Sequence, residues 1–241
     1  MVIGQKQNFD NESEIYLDML KYRINKTGFS IDYIQEYKVL DLKYEAEKYF
    51  DINSNLKILD FGCGIGLSIP YLRKHFKNSI LYGCDYSKKS IEKCIETNKN
   101  INNLHLLSSN GVDIPFLEKF DIIFIANVMR HIPRKNQEIV LKNLKACLKE
   151  NGFIMMYEFN PFNPVSLYFY SIEDCKYDPE NVKIMSPVYS KNLFESIGFK
   201  NIKLNYRFFV PNSFKFLVGI EKYLKKVPFG ASYYLSANIK N

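Results

Sequence analysis

At 241 residues, with 46% hydrophobic content, the chain is long enough for one large α/β domain with a substantial core. The net charge of +7 raises a nucleic-acid partner, but the lysines are dispersed and their runs short (Lys88-Lys89, Lys225-Lys226), which is the pattern of a solvated surface. Five cysteines without a C-x-x-C argue against a disulfide framework or a zinc site, no apolar run reaches bilayer length, and residues 1–10 lack the apolar segment of a secretory signal, so a cytoplasmic location is expected.

In chain order, Ile15, Leu17 and Leu20 recur at helical spacing, and Gly28 with Ser30-Ile31-Asp32 marks a break. Ser30 or Asp32 is a candidate N-cap for a second helix from about Tyr33 to Phe50. Lys57 to Phe61 reads as a strand, followed by a glycine turn and a helix from Leu67 to Lys77 with Pro70 in its first turn. Ser79 to Cys84 is a second strand ending in Asp85, and a helix carrying Ile91 and Ile95 follows. Leu104 to Leu107 is a third strand. Asp121 to Ile125 is a fourth, continuously apolar as in a strand buried on both faces. A helix from about Asn136 to Glu150 is expected to end near Gly152, before a fifth strand from Phe153 to Glu158. This alternation predicts a parallel sheet with helices on both faces.

The rhythm then changes. Asn160-Pro161-Phe162-Asn163-Pro164 is a loop, and residues 165–188 have weak periodicity. Ser190 is a candidate cap for a helix to Ile197, closed by Gly198. Residues 201–210 and 232–239 alternate like strands, and 214–226 form an amphipathic stretch that either packs on its own domain or, as a secondary reading, rests on a membrane. No linker or repeat divides the chain. It reads as one domain: helices over 1–54, a core over 55–160, and additions with terminal strands over 161–241.

The informative turn is Asp60-x-Gly62-x-Gly64-x-Gly66. A dinucleotide fingerprint, G-x-G-x-x-G, would need glycine where Leu67 stands. No Lys or Arg lies between Asp60 and Pro70, so no phosphate-holding cation is present. The turn resembles the first motif of class I S-adenosylmethionine-dependent methyltransferases. That resemblance covers residues 55–160 well and the tail loosely. It implies a doubly wound, Rossmann-like, mostly parallel seven-stranded sheet, with the last two strands as a reversed antiparallel hairpin and the N-terminal helices as a lid; the other reading of those helices is a layer packed on the sheet. It also implies S-adenosyl-L-methionine as cofactor, with Asp60, Gly62, Cys63, Gly64 and Gly66 against its methionyl part.

Further candidates stand where other strands end. Asp85, with Tyr86 beside it, lies about 20 residues past the glycines, where a carboxylate can accept two hydrogen bonds from a ribose diol; its alternative is a helix cap before Ser87. Asn110 and Gly111 align with the family's adenine-binding loop, with Asp113 as the other possible partner and a plain Asn-Gly turn as the alternative. Asn127 follows the fourth strand and is placed beside the cofactor through its backbone. His131 matches a histidine often found here in the resembled family, as a substrate-orienting group or general base, against packing under the loop. Glu158 ends an apolar strand, an odd place for a charge, and is the second catalytic candidate. His75 and His105 have weaker claims, and no metal-ligand spacing is visible.

The run from Glu158 to Pro164 is similar to a subset of small-molecule methyltransferases near surface-sugar genes. The expected activity is therefore methyl transfer to a small molecule, a hydroxyl of a sugar or surface-glycan intermediate. RNA or protein methylation is one alternative, and a cofactor-binding partner subunit without turnover is another.

Overall fold

The computed structural model describes residues 29–164, 166, 185–210 and 219–240. Among them, seven strands form one sheet: β1 (Lys57–Phe61), β2 (Ile80–Asp85), β3 (Leu104–Ser108), β4 (Phe120–Ala126), β5 (Leu148–Phe159), β6 (Lys200–Arg207) and β7 (Ser232–Asn238). Their order is β3-β2-β1-β4-β5-β7-β6. Neighbours from β3 to β5 are parallel, and β7 runs antiparallel between β5 and β6. The doubly wound sheet with a reversed C-terminal pair is thus the one expected.

Helices α1 (Ile31–Ala46), α2 (Ile69–His75) and α3 (Lys88–Thr97) cover one face. There Ile58, Ile122, Phe124, Met155 and Tyr157 meet Val39 and Leu42 of α1, Ile69 and Leu72 of α2, and Cys94 of α3. Helices α4 (Arg134–Cys147) and α5 (Pro187–Ser196) cover the other. There Leu59, Ile123, Ile125 and Met156 meet Val140, Leu141 and Leu144 of α4 and Phe194 of α5. Alternate strand residues feed the two layers, which is why the central strands read as continuous apolar runs. With both faces covered, a ligand can enter only beyond the strand ends. The order reverses between β1 and β4, and sheets of this kind bind ligands beyond the carboxyl ends that flank such a switch point.

Several boundaries differ from expectation for identifiable reasons. Helix α1 starts at Ile31 because the Ser30 hydroxyl accepts from the Tyr33 N–H (3.1 Å), while Asp32 instead accepts from the Tyr71 hydroxyl of α2 (2.7 Å). Helix α4 stops at Cys147, not near Glu150, because Leu148 already pairs with Phe120 in a register that shifts before Ile122. Gly152 is therefore a strand residue and not a helix cap; a Cβ there would lie 2.8 Å from the Phe120 carbonyl. Ser186, with Pro187 behind it, caps α5. Ser190 lies inside that helix, buried against the Tyr233 hydroxyl (2.7 Å).

Of the 214–226 stretch, the described helix is α6 (Glu221–Leu224). The expected helix over Ile15 to Leu20, most of 165–188, and 214–218 lie outside the described residues. No described helix is long and apolar enough to cross a membrane.

Helix α1 is fastened to the carboxyl ends of β5 and β6 and the amino end of β7 by buried polar contacts. Arg207 of β6 grips Asp41 through Nε (2.8 Å) and Nη2 (2.9 Å). The Tyr157 hydroxyl donates to the same carboxylate, and the Tyr234 hydroxyl donates to Glu45 (3.1 Å). Tyr37 donates to Glu221 (2.5 Å), whose other oxygen accepts from the N–H groups of Phe209 and Val210.

Candidate active site

The glycine turn runs from the end of β1 into α2. Gly62, Gly64 and Gly66 have φ of +74°, +54° and +82°, which L side chains rarely adopt. Two of them are also hemmed in: a Cβ on Gly62 would meet Val128 at 2.4 Å, and one on Gly66 would meet the Cys94 sulfur at 2.4 Å. A Cβ on Gly64 would meet nothing within 4 Å. Gly64 is thus the point at which bare backbone faces open space.

Four of the turn's N–H groups are already engaged. Gly62 and Cys63 donate to the Cys84 carbonyl (2.8 and 3.1 Å), Gly64 to Asp85 (2.9 Å), and Gly66 to the Cys63 carbonyl (2.9 Å). A pyrophosphate would need such groups free. The geometry therefore suits an uncharged nucleoside edge and explains why no cation accompanies the turn. The Cys63 thiol is pushed well up by its contact with Cys94 and by burial, so it is a packing group.

Asp85 ends β2. Its Oδ2 accepts from Gly64, and its Oδ1 accepts from the Ser87 N–H (2.9 Å). The cap of α3 is Ser87, whose hydroxyl accepts from Ser90 (3.1 Å), so the cap alternative for Asp85 does not hold. A carboxylate has about four acceptor sites, more than these two bonds use. Tyr86 is half-buried next to it.

Asp60 is 2% exposed at the inner end of β1, and its Oδ2 has no hydrogen-bond partner. Burial, then the Asp85 charge, push its pKa up to about 7, against a lowering pull from Lys38. An unfolded aspartate titrates near ~3.9. The folded chain therefore holds this proton more tightly, and ionising Asp60 erodes stability as pH climbs from about 4 to about 7. The penalty is complete at pH 8 and absent at pH 4. Asp60→Asn is accordingly expected to raise the melting temperature of the ligand-free protein at pH 8 and leave it nearly unchanged near pH 4. Thermal scans at the two pH values check this, and equal shifts at both would contradict it.

Two residues that sequence reasoning did not single out join Asp60. Lys38 of α1 is 4% exposed. Burial and then the Arg130 charge push its pKa down to about 8, opposed by Glu158 and Asp60. Arg130, on the turn after β4, stacks over the Phe159 ring (4.6 Å). Its Nη1 and backbone N–H both reach Glu158 (3.4 Å each). Glu158 is 1% exposed; burial raises its pKa and Arg130 lowers it. Glu158 thus faces Arg130 from inside the sheet edge and orients that guanidinium, with no opening to solvent. A signal for Lys38 was present: it shares a helical stripe with Leu42 and Glu45, both buried.

The loop after β4 borders the glycine turn, with Val128 against Gly62. Asn127 has φ of +61°, and its N–H donates to the Tyr157 carbonyl (2.9 Å), fastening the loop to β5. His131 closes the 3₁₀ turn Met129–His131, half-buried. The buried Gln137 side chain holds this turn by donating to the carbonyls of Met129 (2.9 Å) and Ile132 (3.0 Å).

The other histidines lie elsewhere. His75 pairs with Glu36 (3.1 Å), and His105 stacks on Tyr82 (4.9 Å) beside a groove of about 530 Å³ along the edge strand β3, two strands from β1. Asn110 is committed to its own loop: Oδ1 accepts from Val112 (2.9 Å) and Asp113 (2.8 Å), and Nδ2 donates to Asp113 (2.7 Å). That is the plain-turn arrangement. The buried Gly111, at φ +80°, donates to Ser109 (3.1 Å). No group of three His, Cys, Asp or Glu among the described residues could hold a metal ion.

Comparison with known proteins agrees with this geometry. Residues 58–152 match the family model described as "Methyltransferase domain". The solved structure of a SAM-dependent methyltransferase from Archaeoglobus fulgidus shares the fold: TM-score 0.62, 17% identity, covering 92% of this chain and 99% of that one. A demethylmenaquinone methyltransferase of Staphylococcus haemolyticus is 27% identical over 175 residues, 61% of this chain and 70% of its own. A fibrillarin-like rRNA/tRNA 2′-O-methyltransferase of Methanococcus maripaludis is 26% identical over 153 residues, 60% of each.

A glycine turn with four of its N–H groups engaged, a carboxylate at the end of β2 and a matched domain over the same strands define a methyltransferase of Rossmann-like fold. The chain is an S-adenosylmethionine-dependent methyltransferase. The residues present fit that cofactor: Gly64 leaves the space a nucleoside would fill, and Asp60 presents a buried oxygen lacking a partner.

Proposed function

We propose that the chain methylates a hydroxyl of a small molecule, with His131 taking the hydroxyl proton. The observation that carries this reading is the position of His131. It is the one of the three histidines on the loop after β4, where Val128 packs onto Gly62 of the glycine turn. Two features support a small acceptor: α1 is fastened over the strand ends by Asp41 and Arg207, and the surface lysines are dispersed.

The cofactor supplies an electrophilic methyl group on a positively charged sulfur. The glycine turn and Asp85 fix the nucleoside, and the α1 roof limits the orientations open to an acceptor. Alignment of this kind is worth on the order of ~7 kcal/mol when well realised. An imidazole nitrogen of His131 would accept the hydroxyl proton as the oxygen takes the methyl group, whose bond to sulfur breaks with its electron pair left on sulfur. Glu158, closed in by Arg130, keeps the turn that carries His131 in place.

The Glu158–Pro164 run, the basis of the surface-glycan likeness, serves the fold. Asn160 Nδ2 donates to the carbonyls of Pro228 (2.9 Å) and Gly230 (2.8 Å), and Asn163 Nδ2 to that of Phe229 (2.7 Å). The proposal therefore stops at a small hydroxylated acceptor and does not specify a sugar. RNA is the second reading, favoured by the +7 charge and by the substrate named for the Methanococcus maripaludis relative.

Incubation with methyl-labelled S-adenosylmethionine, total RNA and a small-molecule extract separates the two. Label in the small-molecule fraction is expected; label confined to RNA would contradict the reading. With the acceptor in hand, His131→Ala is expected to slow turnover by about 10²- to 10⁴-fold at unchanged cofactor affinity. Full activity would reduce His131 to packing.

A further inference from the structure

The turn that carries His131 is gripped by a polar cluster in the α4 and α5 layer, on the sheet face opposite α1. Gln137 of α4 is fully buried, and its Nε2 donates to the carbonyls of Met129 (2.9 Å) and Ile132 (3.0 Å), at the two ends of that turn. Facing two carbonyls, only the NH₂ end of the carboxamide fits, so Oε1 points the other way. There it accepts from the Tyr189 hydroxyl of α5 (2.8 Å). The Arg134 guanidinium, one turn before Gln137 on α4, covers the Tyr189 ring, 3.9 Å from its centroid. Tyr189 is in turn set by its surroundings. Its N–H donates to the Ser186 hydroxyl (3.1 Å), and the next residue, Ser190, bonds the Tyr233 hydroxyl of β7 (2.7 Å).

The turn's own bonds, from the His131 N–H to Val128 (3.0 Å) and from the Ile132 N–H to Met129 (3.1 Å), fix its shape. They do not fix where it stands relative to the sheet, and Gln137 does. A buried carboxamide with its bonds made adds little net stability over an apolar side chain of the same size. What it adds is one permitted arrangement, because any other leaves buried carbonyls or N–H groups unanswered. A displacement of about 1 Å near the reacting atoms can cost about 100-fold in rate.

We infer that Gln137 and Tyr189 are positioning residues for His131: the carboxamide holds both ends of the turn, and the tyrosine hydroxyl holds the carboxamide. This rests on the reading of His131 as the base, and extends it to two residues, on α4 and α5, that act through the turn and not on the reacting atoms.

Turnover of the full chain is measured with methyl-labelled S-adenosylmethionine and the small-molecule fraction that takes up the label. The native chain, Gln137→Met, His131→Ala and the double variant are compared. Gln137→Met is expected to lower kcat by about 10- to 100-fold. Its affinity for S-adenosylhomocysteine in calorimetric titration should be unchanged, which also reports a folded chain. In the His131→Ala background the same substitution should cost less than about twofold, because residues acting as a unit are not additive. Tyr189→Phe removes only the hydroxyl that orients the carboxamide. It should lower kcat by about 3- to 10-fold alone and have no further effect beside Gln137→Met. If Gln137→Met fails to fold, Tyr189→Phe with and without His131 decides the question in its place.

An equal loss with and without His131, the behaviour of general loosening, would overturn the inference and leave His131 as the base. So would full turnover in both Gln137→Met and Tyr189→Phe. If His131→Ala left turnover intact, or the native chain labelled no small molecule, the base reading itself would fall and the inference with it.

Discussion

Asp85→Ala is expected to weaken S-adenosylhomocysteine binding by about 100-fold or more. A carboxylate accepting two hydrogen bonds from a ribose diol makes two charge-assisted contacts, each about 1.5–3 kcal/mol, and each 1.4 kcal/mol is about tenfold in affinity. The same substitution also releases the Gly64 and Ser87 N–H groups that Asp85 now holds. The loss therefore combines a missing ligand contact with a slackened turn. Asp85→Asn separates them, because its side-chain oxygen can still accept from Gly64 while the negative charge is gone. It should fall between the native chain and Asp85→Ala in calorimetric titration. Unchanged affinity in both variants would remove the ribose role.

Arg207→Ala is expected to lower stability by about 3–5 kcal/mol, because it leaves the carboxylate of Asp41 buried without its counter-charge. The pair is well enclosed, with side chains 8% and 12% exposed, and the contact is bidentate. Burial already pushes the Asp41 pKa up against the pull of Arg207. Removing the guanidinium takes away the main opposing influence. Adding Asp41→Asn to Arg207→Ala should recover part of the loss by removing the orphaned charge, which a double-mutant cycle in denaturant unfolding would report. A loss below about 1 kcal/mol would mean that the contact behaves like a surface pair. α1 would then be held by its apolar stripe and its remaining polar contacts.

The parts of the molecule legible in the sequence are those governed by local rules. The glycine turn is visible because its backbone needs positive φ at three alternate positions, and β4 because a strand covered on both faces is apolar throughout. Asp85 is visible because the end of β2 follows the turn at a spacing that the fold repeats.

What escaped depends on tertiary context. Lys38 reads as a solvated lysine until α1 is laid on the sheet, and only then does its stripe with Leu42 and Glu45 face inward. Glu158 reads as an isolated charge until Arg130 is seen folded onto it. The two N–H groups that the Asn110 carboxamide gathers into its own turn are not evident from residue order. Gly152 reads as a helix cap because helix ends commonly carry glycine; the close approach of the Phe120 carbonyl is invisible from residue order. Ser190 and Ser186 compete for one cap, and Pro187 decides it by fitting the first helical turn.

A crystal structure of the complex with S-adenosylhomocysteine tests the central claim most directly. The account predicts the nucleoside against Gly62 to Gly66, its ribose hydroxyls on the Asp85 carboxylate, and its sulfur turned toward the loop that carries His131. A nucleoside bound elsewhere, with Asp85 directed away from it, would contradict the account.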